Sequence, residues 1–491
     1  MNMQTGLILA IVGLYFLVLL VIAFYTSRNA NNSHFFIGEK KSKWYLVAYG
    51  MIGTSLSGVT FMSVPGKVVT NHFFYMQIVI GYLLGYVAVA FILLPLYYKL
   101  QLTSIYTFLE KRFGNTTYKT GASLFLISRT LGASLRIYLV LYVLQTFLLD
   151  SLGVPFVVTS FVVLLMILLY TYKGGVKTIV WTDTLQTTFM IFSLILTIGI
   201  IAQQLNFSIG DIWSQMKISG YADPLNFDIK SPAFFLKQII AGMFVTIAMT
   251  GLDQEMMQKN ISIKTLGEAQ KNMLTFSVIL FFVNFLFLFL GGALYVYAAA
   301  KGIPFSKQTD DMFPLIALQY LPPVTGIVFI VGLVSALFPS ADGAMTALTS
   351  SFCIDILGLN KKDHIDEAQK TKTRMTVHTI VAVVFFLIIL FFKALNQRAI
   401  IDLVLEIAGY TYGPLLGLFI FGMYTKLKIE ESAVPIICVL SPLITFLLKT
   451  YSAEIFNGYQ IGFEILLINA LITIIGLFIS SKIVIEKNSN G

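Results

Sequence analysis

Charge is scarce in this chain. Of 491 residues only 12% are Asp, Glu, Lys or Arg, about half the roughly 25% of a soluble domain. With 57% apolar residues and a mean hydropathy of +0.83, that shortage excludes a water-soluble fold and implies many membrane spans. Cysteine is nearly absent. Cys353 and Cys438 are the only two, both in or beside apolar segments, so they read as core residues and not as a structural disulfide. Histidine is as sparse, with four residues and no pair at metal-ligand spacing. His34, His72 and His364 in loops and His378 near a span's cytoplasmic end read as surface residues. A cleavable signal is not expected, because the first apolar run is too long and no small-residue cleavage site follows it. A nucleophile–base motif is also missing, which argues against an enzyme.

What the chain has instead is long apolar runs. Windows of about 20 residues predict thirteen spans. They lie near 5–26, 46–65, 76–98, 121–149, 154–171, 178–203, 234–256, 273–299, 323–353, 375–396, 400–424, 432–450 and 459–481. The eleventh is the weakest, interrupted by Gly409, Gly413, Pro414 and Gly417. No soluble domain is left over, so a sensor with an output module is not expected. Lys and Arg concentrate in alternate loops, for instance Arg28, Lys40, Lys41 and Lys43, then Lys99, Lys111, Arg112 and Lys119, then Lys259, Lys264 and Lys271. Only Arg129 and Arg136 fall well inside a span, away from its ends. The bias puts the N-terminus outside and the C-terminus in the cytoplasm of a multi-pass membrane protein. The net charge of +9 therefore reflects loops and not a nucleic-acid surface.

One stretch does not read as a lipid-facing helix: Gly50-Met-Ile-Gly-Thr-Ser-Leu-Ser-Gly-Val-Thr-Phe-Met-Ser-Val-Pro65. Its small and hydroxyl residues have two readings, a mid-membrane helix break offering oxygens or a close helix–helix contact. Ala241-Gly-Met-Phe-Val-Thr-Ile-Ala-Met-Thr-Gly251 repeats the pattern in the seventh span. These are the first spans of two five-span blocks, 46–203 and 234–424, and five spans per block makes the second inverted. Residues 425–491 add two peripheral helices to this single transmembrane domain. Broken helices in matching positions of inverted blocks point to a transport site at mid-membrane, which favours the break.

Ionisable groups inside spans are site candidates by default. Arg129 and Arg136 stand two helical turns apart on one face. Asp183 lies less than two turns into the sixth span, and Asp342 well inside the ninth. Internal Arg–Asp pairing is the alternative reading. Pro339 deprives the Ser335 carbonyl of its helical donor and crowds that of Ala336, and Ser340 lies one turn from Ala336. Carbonyls plus a hydroxyl are hard oxygen ligands, suited to Na+ and not to a transition metal.

On these motifs the chain resembles the sodium:solute symporter family, which contains the sodium–glucose, sodium–proline and bacterial sialic acid carriers. The marks are Gly174-Gly175…Trp181-Thr182-Asp183…Gln186, Ser55-Leu-Ser-Gly-Val-Thr60, Gln254-Glu-Met-Met-Gln258 and Gly413-Pro-Leu-Leu-Gly417…Gly422. They extend over essentially the whole chain and specify the family, not a substrate. The resemblance implies an all-α integral membrane fold: an extra first helix, then an amino-acid-transporter-like core of five-plus-five inverted helices with broken first members. It also implies a sodium site made by the carbonyls of Gly53, Leu56 and Ala336 and the Ser340 hydroxyl. A second serine usual before Ser340 is replaced here by Pro339. Asp183, Asp342 and Ser335 mark a possible second cation or coupling site, where Asp342 either strengthens cation binding, carries a proton or pairs with Arg136. Ser55, Ser57 and Thr60 are implied for solute, with Tyr75 nearby. The arginine that holds a carboxylate in the sialic acid carriers corresponds to Gly132, flanked by Arg129 and Arg136.

The expected function is import of a small polar solute, a sugar, a sialic-acid-like compound or another organic acid, driven by Na+ through alternating access. Proton coupling through Asp342 and a transporter-like sensor are the alternatives. Solute, Na+ and the bilayer are the expected partners, and no protein partner is required.

Overall fold

The structure, a computed structural model, describes residues 3–27, 35, 42–362, 365–395 and 400–489. His34, His364, Arg28, Lys40 and Lys41 lie outside the described residues. Among those described, helices are the only regular structure besides one isolated bridge between Ser42 and Ile263. The principal helices are α1 (Met3–Ser27), α2 (Trp44–Ser55), α3 (Gly58–Gly66), α4 (Tyr75–Ala88), α5 (Asn115–Leu144) and α6 (Phe156–Leu205). There follow α7 (Phe235–Thr246), α8 (Gln254–Ile261), α9 (Leu266–Ala300), α10 (Pro323–Ser351), α11 (Glu367–Leu395), α12 (Ile400–Tyr424), α13 (Val434–Thr450) and α14 (Ile465–Ser489). Among the described residues nine helical segments are long and apolar enough to cross a membrane, or up to eleven if each of two bent pairs is one span; Phe156–Tyr172 and Ile465–Ser481 are shorter apolar stretches. The chain is a multi-pass membrane protein.

Burial sorts the helices into centre and periphery. In α10, 78% of the apolar window is buried, against 22% in α1 and in the segment containing α13. The outer helices expose Leu14, Phe24, Val439 and Phe446, a coat that only lipid satisfies. The first helix docks on this core through Tyr15, whose hydroxyl accepts from Ser335 Oγ at 2.8 Å, and through Thr26, 2.7 Å from Thr178.

Both polar interruptions are breaks. α2 and α3 meet at an angle of 58°, and the stretch Phe235–Gly251 meets α8 at 65°. At the first break Leu56 (φ −91°, ψ 86°) and Ser57 (φ −77°, ψ 174°) leave helical geometry, which frees carbonyls that a continuous helix would use. Close contact also occurs, at other glycines. A Cβ on Gly81 would meet the Ile239 carbonyl, and one on Gly242 the Ile78 carbonyl, so α4 and α7 cross backbone to backbone. In α12, Gly409, Gly413 and Gly417 face Ile465, Asn469 and Thr473 of α14. The weak eleventh span is thus one continuous helix whose glycines form a packing face.

Two expectations are corrected here. His378 is not a surface residue: it is buried, 2.9 Å from Thr171 Oγ1 and 2.8 Å from Thr349 Oγ1. Lys259 is not a loop residue either. It lies on α8 and is 3% exposed, because the seventh span continues past its apolar window into the polar run Gln254–Asn260, whose charges have partners inside. Cys353 and Cys438 are buried and free.

Candidate functional site

The first break carries two sets of oxygens. Gly53 packs where a Cβ would come 2.5 Å from Thr187 Oγ1 and 3.4 Å from Pro339 Cγ, and its N–H donates to Thr187 Oγ1 at 3.0 Å. This wedges the end of α2 between α6 and the Pro339–Ser340 turn of α10. Leu56, Ala336 and Ser340 are all buried. Among the described residues Ser340 Oγ meets no hydrogen-bond partner, which is costly for a buried hydroxyl unless it serves a ligand. Among the described residues no group of His, Cys, Asp and Glu is arranged to hold a metal. The donors these residues can offer are oxygens, the kind that suits an alkali cation.

The second set opens into a cavity walled by α2, α3, α4, α5, α7, α9 and α12. Its wall brings together Ser55, Ser57, Thr60, Tyr75, Arg129 and Arg136, which the sequence spreads over some eighty positions. Tyr82, Tyr86 and Asn284 join them; these sit within strongly apolar runs and carry no signal of their own.

The two arginines part company. Arg129 is buried and bonded to Glu255, with Asp253 Oδ2 3.7 Å away. The Tyr412 hydroxyl donates to that same Asp253 oxygen at 2.6 Å. Asp253 also caps α8, accepting from the N–H groups of Glu255 and Met256 at 2.9 and 3.2 Å. Arg129 therefore ties α5, α8 and α12 together beside the cavity. Arg136 is half-buried, lines the cavity and forms no salt bridge among the described residues.

The acidic residues also separate. Asp183 accepts from Lys259 Nζ at 2.6 Å and from Thr54 Oγ1 at 3.1 Å. Asp342 accepts from the Tyr170 hydroxyl at 2.5 Å and does not pair with Arg136. One oxygen of each carboxylate has no hydrogen-bond partner among the described residues. Ser335 spends its hydroxyl on Tyr15.

Breaks in two helices, a polar cavity between them and hard oxygens beside it define a secondary carrier that moves a solute together with a cation. Comparison with known proteins identifies which. A profile of the Sodium:solute symporter family matches residues 35–434, and the chain belongs to that family. It is similar to the sodium/sialic acid symporter SiaT of Proteus mirabilis, 23% identical over 89% of this chain and 88% of that one. It is also similar to the sodium/glucose cotransporter of Vibrio parahaemolyticus, 22% identical over 88% and 84%. The mouse sodium-coupled monocarboxylate transporter 1 is 25% identical over 85% and 67%. In fold it matches a solved Na+-coupled sialic acid symporter in a substrate-bound outward-open state, with a TM-score of 0.83, 20% identity and 98% of both chains covered. The chain is a sodium-driven solute symporter and not an enzyme.

Proposed function

We propose that this symporter imports a small polar solute bearing a carboxylate, together with Na+. The observation that carries the reading is Arg136, a guanidinium facing the cavity beside the hydroxyls of Ser55, Ser57 and Thr60. A planar fork of donors matches a carboxylate, and hydroxyls suit the polar remainder of an organic acid. Relatives named for sialic acid and monocarboxylate transport support the class. Na+ is held by the carbonyls of Gly53, Leu56 and Ala336 and by Ser340 Oγ, with the unpartnered hydroxyl as support.

The architecture we infer is thirteen spans, with the blocks 46–203 and 234–424 as inverted repeats and 425–491 peripheral. The N-terminus lies outside and the C-terminus in the cytoplasm, as the loop charges favour. One repeat-based bundle rocks against the rest around the broken helices.

Energetics are sufficient. One Na+ crossing 100 mV contributes about 2.3 kcal/mol and a tenfold gradient about 1.4 kcal/mol. For an uncharged solute the sum, about 3.7 kcal/mol, sustains roughly 500-fold accumulation. For a carboxylate carried with one Na+ the potential cancels and about tenfold remains.

A thermal-shift screen of sugars, sialic acids, amino acids and simple carboxylates, with Na+ or with K+, identifies the solute. In proteoliposome uptake of the best hit, Ser340→Ala is expected to weaken the Na+ dependence at least tenfold. Unchanged Na+ dependence places the ion elsewhere.

A further inference from the structure

Asn284 stands near the middle of α9, a strongly apolar helix, and is 1% exposed. A polar side chain at that depth is a functional candidate by default. Its Nδ2 donates to the Leu280 carbonyl, one turn back, at 2.8 Å. That bond orients the amide, because only its nitrogen end can face a carbonyl. The oxygen end is thereby fixed as well, and among the described residues Oδ1 has no hydrogen-bond partner. Leu280 and Asn284 both line the cavity that Arg136 faces. Of the side chains in that wall, only Arg129, through Nε, keeps another fully buried polar atom without a hydrogen-bond partner among the described residues, and its guanidinium is already held by Glu255. Asn284 Oδ1 is the one such acceptor.

We propose that Asn284 Oδ1 accepts a hydrogen bond from an O–H or N–H of the solute, so that the carrier selects carboxylic acids bearing such a donor over plain monocarboxylates. The hydroxyls of Ser55, Ser57 and Thr60 cannot make this selection. Each is both donor and acceptor and turns to suit either partner. The Asn284 oxygen, pinned through Leu280, takes only a donor. A bound acid without one leaves that carbonyl buried and unpaired, and a site built to hydrogen-bond a group rejects the analogue lacking it far more strongly than it rejects a missing methylene. For one neutral hydrogen bond the expected discrimination is about 10–100-fold. This selection rests on the reading of Arg136 as the carboxylate partner, and the two fail separately.

Charge and donor are varied independently by thermal-shift titration of the full-length protein at saturating Na+. One set is lactate, propionate, methyl lactate and methyl propionate; the other is mandelate, phenylacetate and their methyl esters. In at least one set wild type is expected to bind the hydroxy acid more tightly than its donor-free counterpart, by the factor above. Asn284→Leu is expected to bring the two within a few-fold, with the donor-free acid bound as well as by wild type or better. A purely structural role weakens all members of a set alike and leaves their ratio unchanged. If Asn284→Leu does not fold, Asn284→Ser, whose hydroxyl no longer demands a donor, is expected to show the same loss of preference. Equal binding of hydroxy and donor-free acids by wild type, binding of neither set, or a preference kept in the folded variant overturns the proposal. Equal binding of acids and esters refutes the Arg136 reading instead, and the ratio between the two esters still reports on Asn284.

Discussion

Two arginines of the same helix, seven residues apart, should respond to the same substitution in opposite ways. Arg136→Gln removes a guanidinium that faces the cavity without an ionic partner among the described residues. A hydrogen bond to a charged group contributes about 1.5–3 kcal/mol, so solute affinity should fall roughly 10–150-fold. The loss should be confined to carboxylates: wild type prefers an acid to its amide, and Arg136→Gln does not. Arg129→Gln instead strips the partner from Glu255 and the neighbour from Asp253, both buried. Breaking a buried pair from one side costs about 3–5 kcal/mol, so the expected signature is a lowered melting temperature with the acid preference kept in whatever protein remains folded. The assay is a thermal-shift titration of each variant with the acid and the amide of the best solute at saturating Na+. The reasoning is refuted if Arg136→Gln retains the preference. It is equally refuted if Arg129→Gln loses the preference while melting like wild type.

Gly53→Ala forces a Cβ to within 2.5 Å of Thr187 Oγ1. Overpacking of this kind costs about 1–3 kcal/mol and displaces the adjacent carbonyls, so Na+ should lose its thermal protection, and Thr187→Ala in the same chain should restore part of it; no rescue would mean that crowding is not the cause. Outside the spans, burial and then the neighbouring Asp310 raise the Asp311 carboxyl to about 6. The folded chain therefore holds a proton that the unfolded chain releases nearer its ordinary value, 3.8, and stability falls as pH rises between these values. Melting curves from pH 4 to 7 should show that decline in wild type and a flatter one in Asp311→Asn; parallel curves would sink the assignment.

Much of the fold is legible before any coordinates, because lipid enforces one rule on every span. Apolar windows and the two glycine- and hydroxyl-rich interruptions follow from that rule, and both interruptions prove to be breaks. What could not be read is pairing. Periodicity places Arg129 and Arg136 on one face and has no means to tell them apart; Glu255, more than a hundred positions later, decides. Lys259 hides for the same reason. It sits in a polar run that hydropathy assigns to a loop, and only its contact with Asp183 reveals an interior residue. His378 is similar, satisfied by hydroxyls from two other helices. Tyr82, Tyr86 and Asn284 were silent because an apolar span gives a lone polar side chain no pattern to stand out from. The α12 glycines are a milder case: their four-residue spacing weakens the hydropathy signal, yet it is what lets α14 approach.

The cations of the core divide the labour of coupling. Arg129 is committed to Glu255, and Lys259 to Asp183, so neither field is free to attract a solute. Arg136 lines the cavity without an ionic partner among the described residues, which is why it is proposed for the carboxylate. In the proposed site Gly53 and Leu56 offer carbonyls to the ion, while Ser55, Leu56 and Ser57 line the cavity. An ion and a carboxylate held about 7 Å apart, two Cα steps of chain, would attract each other across the break. At an effective dielectric constant near 20 the attraction is about 2 kcal/mol, roughly a 30–50-fold mutual gain in affinity. Thermodynamic linkage makes that gain the same in both directions. Under the proposed sites, charge attraction across a single break would couple the two cargoes without a conformational relay.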